Sequence, residues 1–178
     1  MSFDASRDIQ FLVRTPAAFR TMLGGLPREL VGACYGPGTW SPHEILGHLI
    51  HGDRTDWIPR ARHILERGET VAFVPFDRQG HAGLCKAHDT AALLDLFEVE
   101  RAACVAQLRA LPLSPSSLSR RGRHPALGRV TLSELLCAWV VHDLNHIAQV
   151  AKALALQRRA DVGPWEAYLS ILAPPAPR

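Results

Sequence analysis

Trp40-Ser41-Pro42-His43-Glu44-Ile45-Leu46-Gly47-His48-Leu49 reads as the opening of a helix. Ser41 can accept from the third backbone N–H, Pro42 suits the first helical position, and Glu44 completes a capping box. Thr131-Leu132-Ser133-Glu134 repeats the device far down the chain. Behind it, Leu135, Trp139, His142, His146, Val150 and Ala153 fall in one stripe at helical spacing. Helical periodicity dominates elsewhere, and strand alternation is nearly absent.

Working outward, the first helix is expected over about residues 6–23, with a kink or restart at Thr15-Pro16. The capped second helix should reach about Arg67 and bend at Pro59, which cannot donate to the carbonyl of Thr55. Residues 71–88 are aromatic, proline-bearing and without periodicity, a long loop of the kind that covers or shapes something. A third helix spans about residues 90–111. A second connector covers residues 112–129, and the fourth helix runs from Thr131 to about Arg158. A short helix over residues 164–172 and a frayed end follow. Four long helices with unequal connectors predict an all-α four-helix bundle, read as one domain over residues 1–178.

Composition narrows the function. The chain has 178 residues, 47% hydrophobic and 21% charged, so disorder and a disulfide-dense scaffold are poor readings. Its formal charge of +3 is too small to argue for nucleic acid. Such binding would have to rest on Arg120-Arg121-Gly122-Arg123-His124, which reads as a solvated loop. The longest apolar run, Leu135 to Val141, is far short of the ~20 residues that span a bilayer. The opening residues do not resemble a secretory signal, and four cysteines without C-x-x-C spacing suit reduced thiols. A cytoplasmic location is the expectation.

Nine histidines carry the chemistry. His142 and His146, one turn apart, interrupt an apolar stripe, where two imidazoles cost several kcal/mol unless their nitrogens find partners. They are either core histidines bonded to nearby carbonyls or ligands of one divalent ion. His48, opposed across a bundle, can supply a third nitrogen. Three neutral imidazoles leave coordination positions open, as in catalytic sites. Zinc, nickel, iron and manganese all fit such a donor set. His51, one turn beyond His48, reads as a surface residue, a substrate-contacting base or a fourth ligand. Asn145 and Gln149 flank the His142/His146 stripe and can orient an imidazole. Glu44 can do the same, but capping is its simpler role.

Asp143, roughly 100° from His142 on the wheel, reads as a surface charge. His43, His63, His81, His88 and His124 read as solvated. Cys137 is a packing residue, and Cys85 is the better placed thiol for chemistry.

The same residues carry a family likeness. The run Trp40–Leu49, followed by His142-Asp143-Leu144-Asn145-His146-Ile147-Ala148-Gln149, resembles the DinB-like superfamily of metal-binding helical bundles. The likeness covers about residues 8–172. The closing Val162-Gly163-Pro164-Trp165-x-x-Tyr168-Leu169 looks like that of uncharacterised bacterial members. The resemblance implies an up-down-down-up bundle, often a homodimer, that binds one divalent metal through three histidines, here His48, His142 and His146. It also implies small-molecule chemistry. The leading expectation is a transferase using a low-molecular-weight thiol such as bacillithiol or mycothiol. A metal-dependent hydrolase, with His51 or Glu44 as base, and a non-enzymatic, stress-associated metal-binding dimer are the alternatives.

Overall fold

Helix α1, Ala5–Leu23, begins where Asp4 accepts from the backbone N–H of Arg7, and a short turn, α2 (Arg28–Val31), follows it. The structure, a computed structural model, describes residues 2–173. Of the expected frayed end over residues 173–178, residues 174–178 lie outside the described residues. α1 continues through Pro16 without restarting. The proline leaves the Leu12 carbonyl without its helical donor, and the Arg101 guanidinium supplies one at 3.2 Å.

The Ser41–Glu44 capping box opens α3, Pro42–Thr55, as the sequence predicts. The long helix expected after it is two helices, because α3 ends at Asp56 and α4 occupies Trp57–Arg67. The break falls at the turn whose Thr55 carbonyl Pro59 cannot pair, so the proline ends the helix rather than bending it. The 71–88 connector holds a short helix, α5 (Ala82–Ala87), which packs on α3. α6 covers Thr90–Arg109 from an Asp89 cap.

The second connector is also more ordered than expected. It contains α7 (Pro115–Leu118) and an antiparallel hairpin of β1 (Arg121–His124) and β2 (Gly128–Thr131), with Arg121 opposite Thr131. The basic cluster therefore forms a strand rather than a loop, with Arg121 and Arg123 exposed to solvent as expected. Gly122 makes this possible, since a Cβ there would lie 2.7 Å from Ile64 and Phe73. Four-residue strands of arginine and glycine carry no hydrophobic alternation to betray them. α8, Leu132–Leu156, starts at the Thr131–Glu134 capping box. The tail forms 3₁₀ turns at Gly163–Tyr168 and Ser170–Leu172 instead of one helix.

Long-range hydrogen bonds give the helix directions. Phe3 N–H to Ser133, Thr15 to Asp143 and Gln157 to the Leu30 carbonyl set α1 and α8 parallel. Arg20 with Asp95 and Glu98 sets α6 against α1. His43 to Thr90 and Arg54 to Glu100 run α3 alongside α6. The bundle is up-down-down-up. None of the described helices is long and apolar enough to cross a membrane.

The core has two parts. One gathers Leu12, Trp57, Val105 and Trp139, and the other gathers Phe19, Ile45, Leu49 and Phe97. Between them each main helix contributes to one polar network. Arg101 of α6, 1% exposed, donates from Nε to Asp53 of α3 at 2.8 Å and from Nη1 and Nη2 to Asp143 of α8. Asp143 also accepts from Thr15 of α1 at 2.8 Å. Asp143 is thus wholly buried, not the surface charge expected of it. The 100° turn from His142 points it into the bundle, because α8 is covered on that side by α1 and α6.

Candidate metal centre

His48 lies in the second turn of α3, and His142 and His146 lie one turn apart on the opposed α8. Antiparallel packing of these helices brings the three rings together. His142 Nε2 is 3.0 Å from His48 Nε2 and 3.1 Å from His146 Nε2. One nitrogen from each lies within 4.8 Å of the others. An imidazole nitrogen carries either one proton or one lone pair, so His142 Nε2 cannot satisfy both contacts as hydrogen bonds. Three lone pairs aimed at one cation satisfy all of them.

The protonation of the rings suits that arrangement. Burial, reinforced by the neighbouring imidazoles, pushes His48 down to about 2 and His146 down to about 4, so both are neutral at pH 7. His146 Nδ1 donates to the Gln149 amide oxygen at 2.9 Å, which leaves its Nε2 lone pair free. Of the two residues expected beside the imidazoles, Gln149 is the one that contacts a ring. Asn145 is exposed and makes no hydrogen bond to an imidazole. His48 and His146 are buried, and the His142 side chain is 25% exposed, so access is from the His142 side. No geometry of the donor set excludes a divalent ion.

Aromatic rings wall the site. Trp40 lies 4.5 Å from the His48 ring and stacks at 6.3 Å on His146. Phe76 meets His48 edge-on at 5.6 Å, and Trp57 meets His142 edge-on at 5.1 Å. Two glycines let the 71–88 connector come this close. A Cβ on Gly47 would lie 2.3 Å from Cys85 Sγ, and one on Gly80 would lie 2.4 Å from His51 Nε2.

His51 stands beside Phe76, with ring centroids 5.1 Å apart, and its buried Nε2 has no protein partner. Glu44 is committed to the cap, since Oε2 accepts from Ser41 N–H and from Ser41 Oγ, each at 2.8 Å. His81, expected in solvent, is 2% exposed and packs 4.9 Å from Trp40. Three other histidines expected in solvent are also engaged. His43 contacts Thr90 Oγ1 and the Cys85 carbonyl, His63 contacts the Val71 carbonyl, and His124 Nδ1 accepts from Ala126 and Leu127 in the hairpin turn. His88 is exposed.

Cys137 packs against the core. Burial pushes the Cys85 thiol up, which leaves it a poor nucleophile. A cleft of about 1360 Å³ opens past the start of α3 beside Ser41, His43 and Glu44, and none of the three clustered histidines lines it.

The sequence reading missed Trp40 and Phe76 as walls and Arg101 as the centre of a polar network. Arg101 did leave a signal. It lies at helical spacing between Phe97 and Val105, on the apolar face of α6.

Comparison with known proteins agrees with the fold. The profile of the DinB superfamily matches residues 12–150. YfiT from Bacillus subtilis, described as a probable metal-dependent hydrolase with an unusual four-helix bundle topology, is 26% identical with a TM-score of 0.72. That match covers 88% of this chain and 87% of that one. The mycothiol-dependent maleylpyruvate isomerase is 16% identical with a TM-score of 0.61, over 83% of this chain and 61% of that one. That second likeness is one of fold, and this chain spans less than two thirds of the isomerase. No curated protein matches the chain at a significant level. With the profile matched over most of its length and the four-helix topology shared, the chain belongs to the DinB superfamily.

Proposed function

We propose that the protein is a divalent-metal-dependent enzyme acting on a small molecule, with His48, His142 and His146 holding the ion. The observation that carries this reading is the convergence of three Nε2 atoms that hydrogen bonding cannot satisfy together. A divalent ion there supplies Lewis acidity, which lowers the pKa of a water or small thiol brought to it. Hydrolysis is the leading reaction. It needs a base beside the ligands, and His51 Nε2 is buried and without a hydrogen-bond partner among the described residues. Trp40, Phe76 and Trp57 exclude bulk water from the ligands and orient an apolar part of the substrate. The likeness to YfiT supports the same assignment.

Thiol-dependent transfer is the second reading, favoured by the partly open edge at His142, which admits a small thiol as readily as water. The chain's own cysteines do not provide that thiol, since none is among the clustered ligands and Cys85 is held protonated by burial.

Elemental analysis of the native protein, His48→Ala and His142→Ala tests the metal. About one ion per chain, lost in both variants, is expected. Metal-loaded protein is then assayed with 4-nitrophenyl esters, and separately with a small thiol plus a maleyl or epoxide electrophile. Ester turnover lost in His51→Ala supports hydrolysis. Turnover only when thiol is added supports transfer, and no turnover in either assay leaves a metal-binding protein without this activity.

A further inference from the structure

The three clustered histidines are not held alike. His146 has a neutral amide on its Nδ1, and His48 Nδ1 has no protein partner. His142, the most exposed of the three, faces a charge, because Asp143 Oδ1 lies 3.8 Å from its Nδ1. That carboxylate is not free to swing. Arg101 grips both of its oxygens, and Thr15 donates to Oδ2 at 2.8 Å. Arg101 is itself fixed by Asp53 at 2.8 and 3.1 Å and by the Leu12 carbonyl that Pro16 leaves open.

A second line of contact reaches the same ring. The Arg101 guanidinium lies 5.3 Å from the Trp139 ring centroid, Trp139 stacks on Trp57 at 5.6 Å and 6°, and Trp57 meets His142 at 5.1 Å.

We propose that the Asp53–Arg101–Asp143–Thr15 network positions the metal site by holding His142 with its Nδ1 toward a buried carboxylate and its Nε2 toward His48 and His146. The proposal rests on the reading that these histidines hold a metal. Charge supplies its physical basis. One guanidinium shared by two carboxylates leaves surplus negative charge in the core, and the unclaimed capacity of Asp143 Oδ1 lies on the His142 side. A carboxylate facing the far nitrogen of a ligating histidine fixes the tautomer and strengthens the donor, and losing such a partner typically costs about 10–100-fold in metal affinity. Asp53, on α3, is clamped to Arg101 and makes no hydrogen bond to His142. The network thus joins all four helices to one ligand, and Asp143, Arg101 and Thr15 are positioning rather than catalytic residues.

The test measures zinc affinity by chelator competition and the visible absorption of the cobalt(II)-loaded protein. Asp143→Asn keeps the shape and removes the charge. We expect zinc affinity about 10–100-fold weaker and a changed cobalt spectrum. Thr15→Val removes one donor to Asp143 without touching a histidine or altering charge, and should weaken zinc severalfold, while Thr15→Ser restores it. A purely structural network would lower stability in both variants yet leave the affinity and spectrum of the folded protein unchanged, and that result overturns the proposal. Should Asp143→Asn not fold, wild-type affinity and spectrum in Thr15→Val overturn it equally. A native protein that takes up no zinc or cobalt defeats the metal reading itself, and the proposal with it, whereas uptake with unaltered variants defeats the positioning role alone.

Discussion

Two polar clusters are buried in this bundle, and they are finished differently. The Arg101 guanidinium and the carboxylates it holds are all partnered, with Asp53, Asp143 and the Leu12 carbonyl closing on the guanidinium and Thr15 on Asp143. Around His48, His142 and His146 nitrogens crowd together at 3.0 and 3.1 Å, while His48 Nδ1 and His51 Nε2 have no hydrogen-bond partner and His142 Nδ1 only faces Asp143 at 3.8 Å. An unpaired buried polar atom costs about 1–3 kcal/mol. A closed network secures the fold, and an open one of donor atoms is built to receive something.

The sharpest way to break that contrast is to remove Arg101. Arg101→Leu leaves Asp53 and Asp143 as uncompensated buried acids, and should cost about 3–5 kcal/mol in urea denaturation of the metal-free protein. His48→Ala in the same experiment should cost well under half of that, since the imidazole it removes has no complete set of protein partners. Equal losses would erase the distinction between the clusters.

Adding the missing ligand should close the gap from the other side. Zinc at a hundredfold excess over its Kd should stabilise the wild type by about 2.7 kcal/mol. Thermal melting should show no such gain in His48→Ala, and a chelator should reverse it in the wild type. A wild type indifferent to zinc would return the three histidines to the core.

Acid should separate the clusters by sign. His48 and His146 are held neutral in the folded state, at about 2 and about 4, while the unfolded chain takes up protons near 6.5. Their contribution is therefore complete above pH 6.5 and is lost as pH falls toward 4 and below. Asp53 acts oppositely, because burial outweighs Arg101 and holds its pKa up, so its contribution weakens as pH rises. Subtracting the double variant His48→Gln/His146→Gln from the wild type isolates the histidine part. The metal-free difference should fall between pH 7 and pH 5, and a flat difference would deny the buried, neutral state of these rings.

The smallest effect is expected at Gln149. Gln149→Leu removes the acceptor on His146 Nδ1 and should cost about 1 kcal/mol of stability. It should also weaken zinc about tenfold. Titration of both variants with the same chelator would rank Gln149 against Asp143 as partners of the two α8 ligands.

The parts of the molecule readable in sequence are those whose cause is local. Ser41 with Glu44 and Thr131 with Glu134 announce two helix starts, because each motif satisfies backbone donors within its own turn. The spacing of His142, His146 and Gln149 announces a shared face for the same reason. Pro59 was legible as a disturbance but not as a full break at Asp56, since that depends on what packs around the turn. The hairpin over residues 121–131 was hidden because its strands are set by Gly122 fitting against Ile64 and Phe73, residues remote in sequence. The local windows around His81 and Asp143 carry no sign of the elements that bury them.

By itself, then, the sequence determined the class of fold, the start of the two helices that open with a capping box and the candidacy of His48, His142 and His146, all through periodicity and short-range hydrogen bonding. Only the tertiary structure decided that α3 meets α8 at the level of these rings, and that Arg101 gathers Asp53, Asp143 and Thr15 from three other helices. It also decided that Phe76 and Trp40 close over the histidines. Those outcomes depend on helix direction and on which faces are covered, and a buried charge or a crowded imidazole has its energy only once the surrounding water has been excluded.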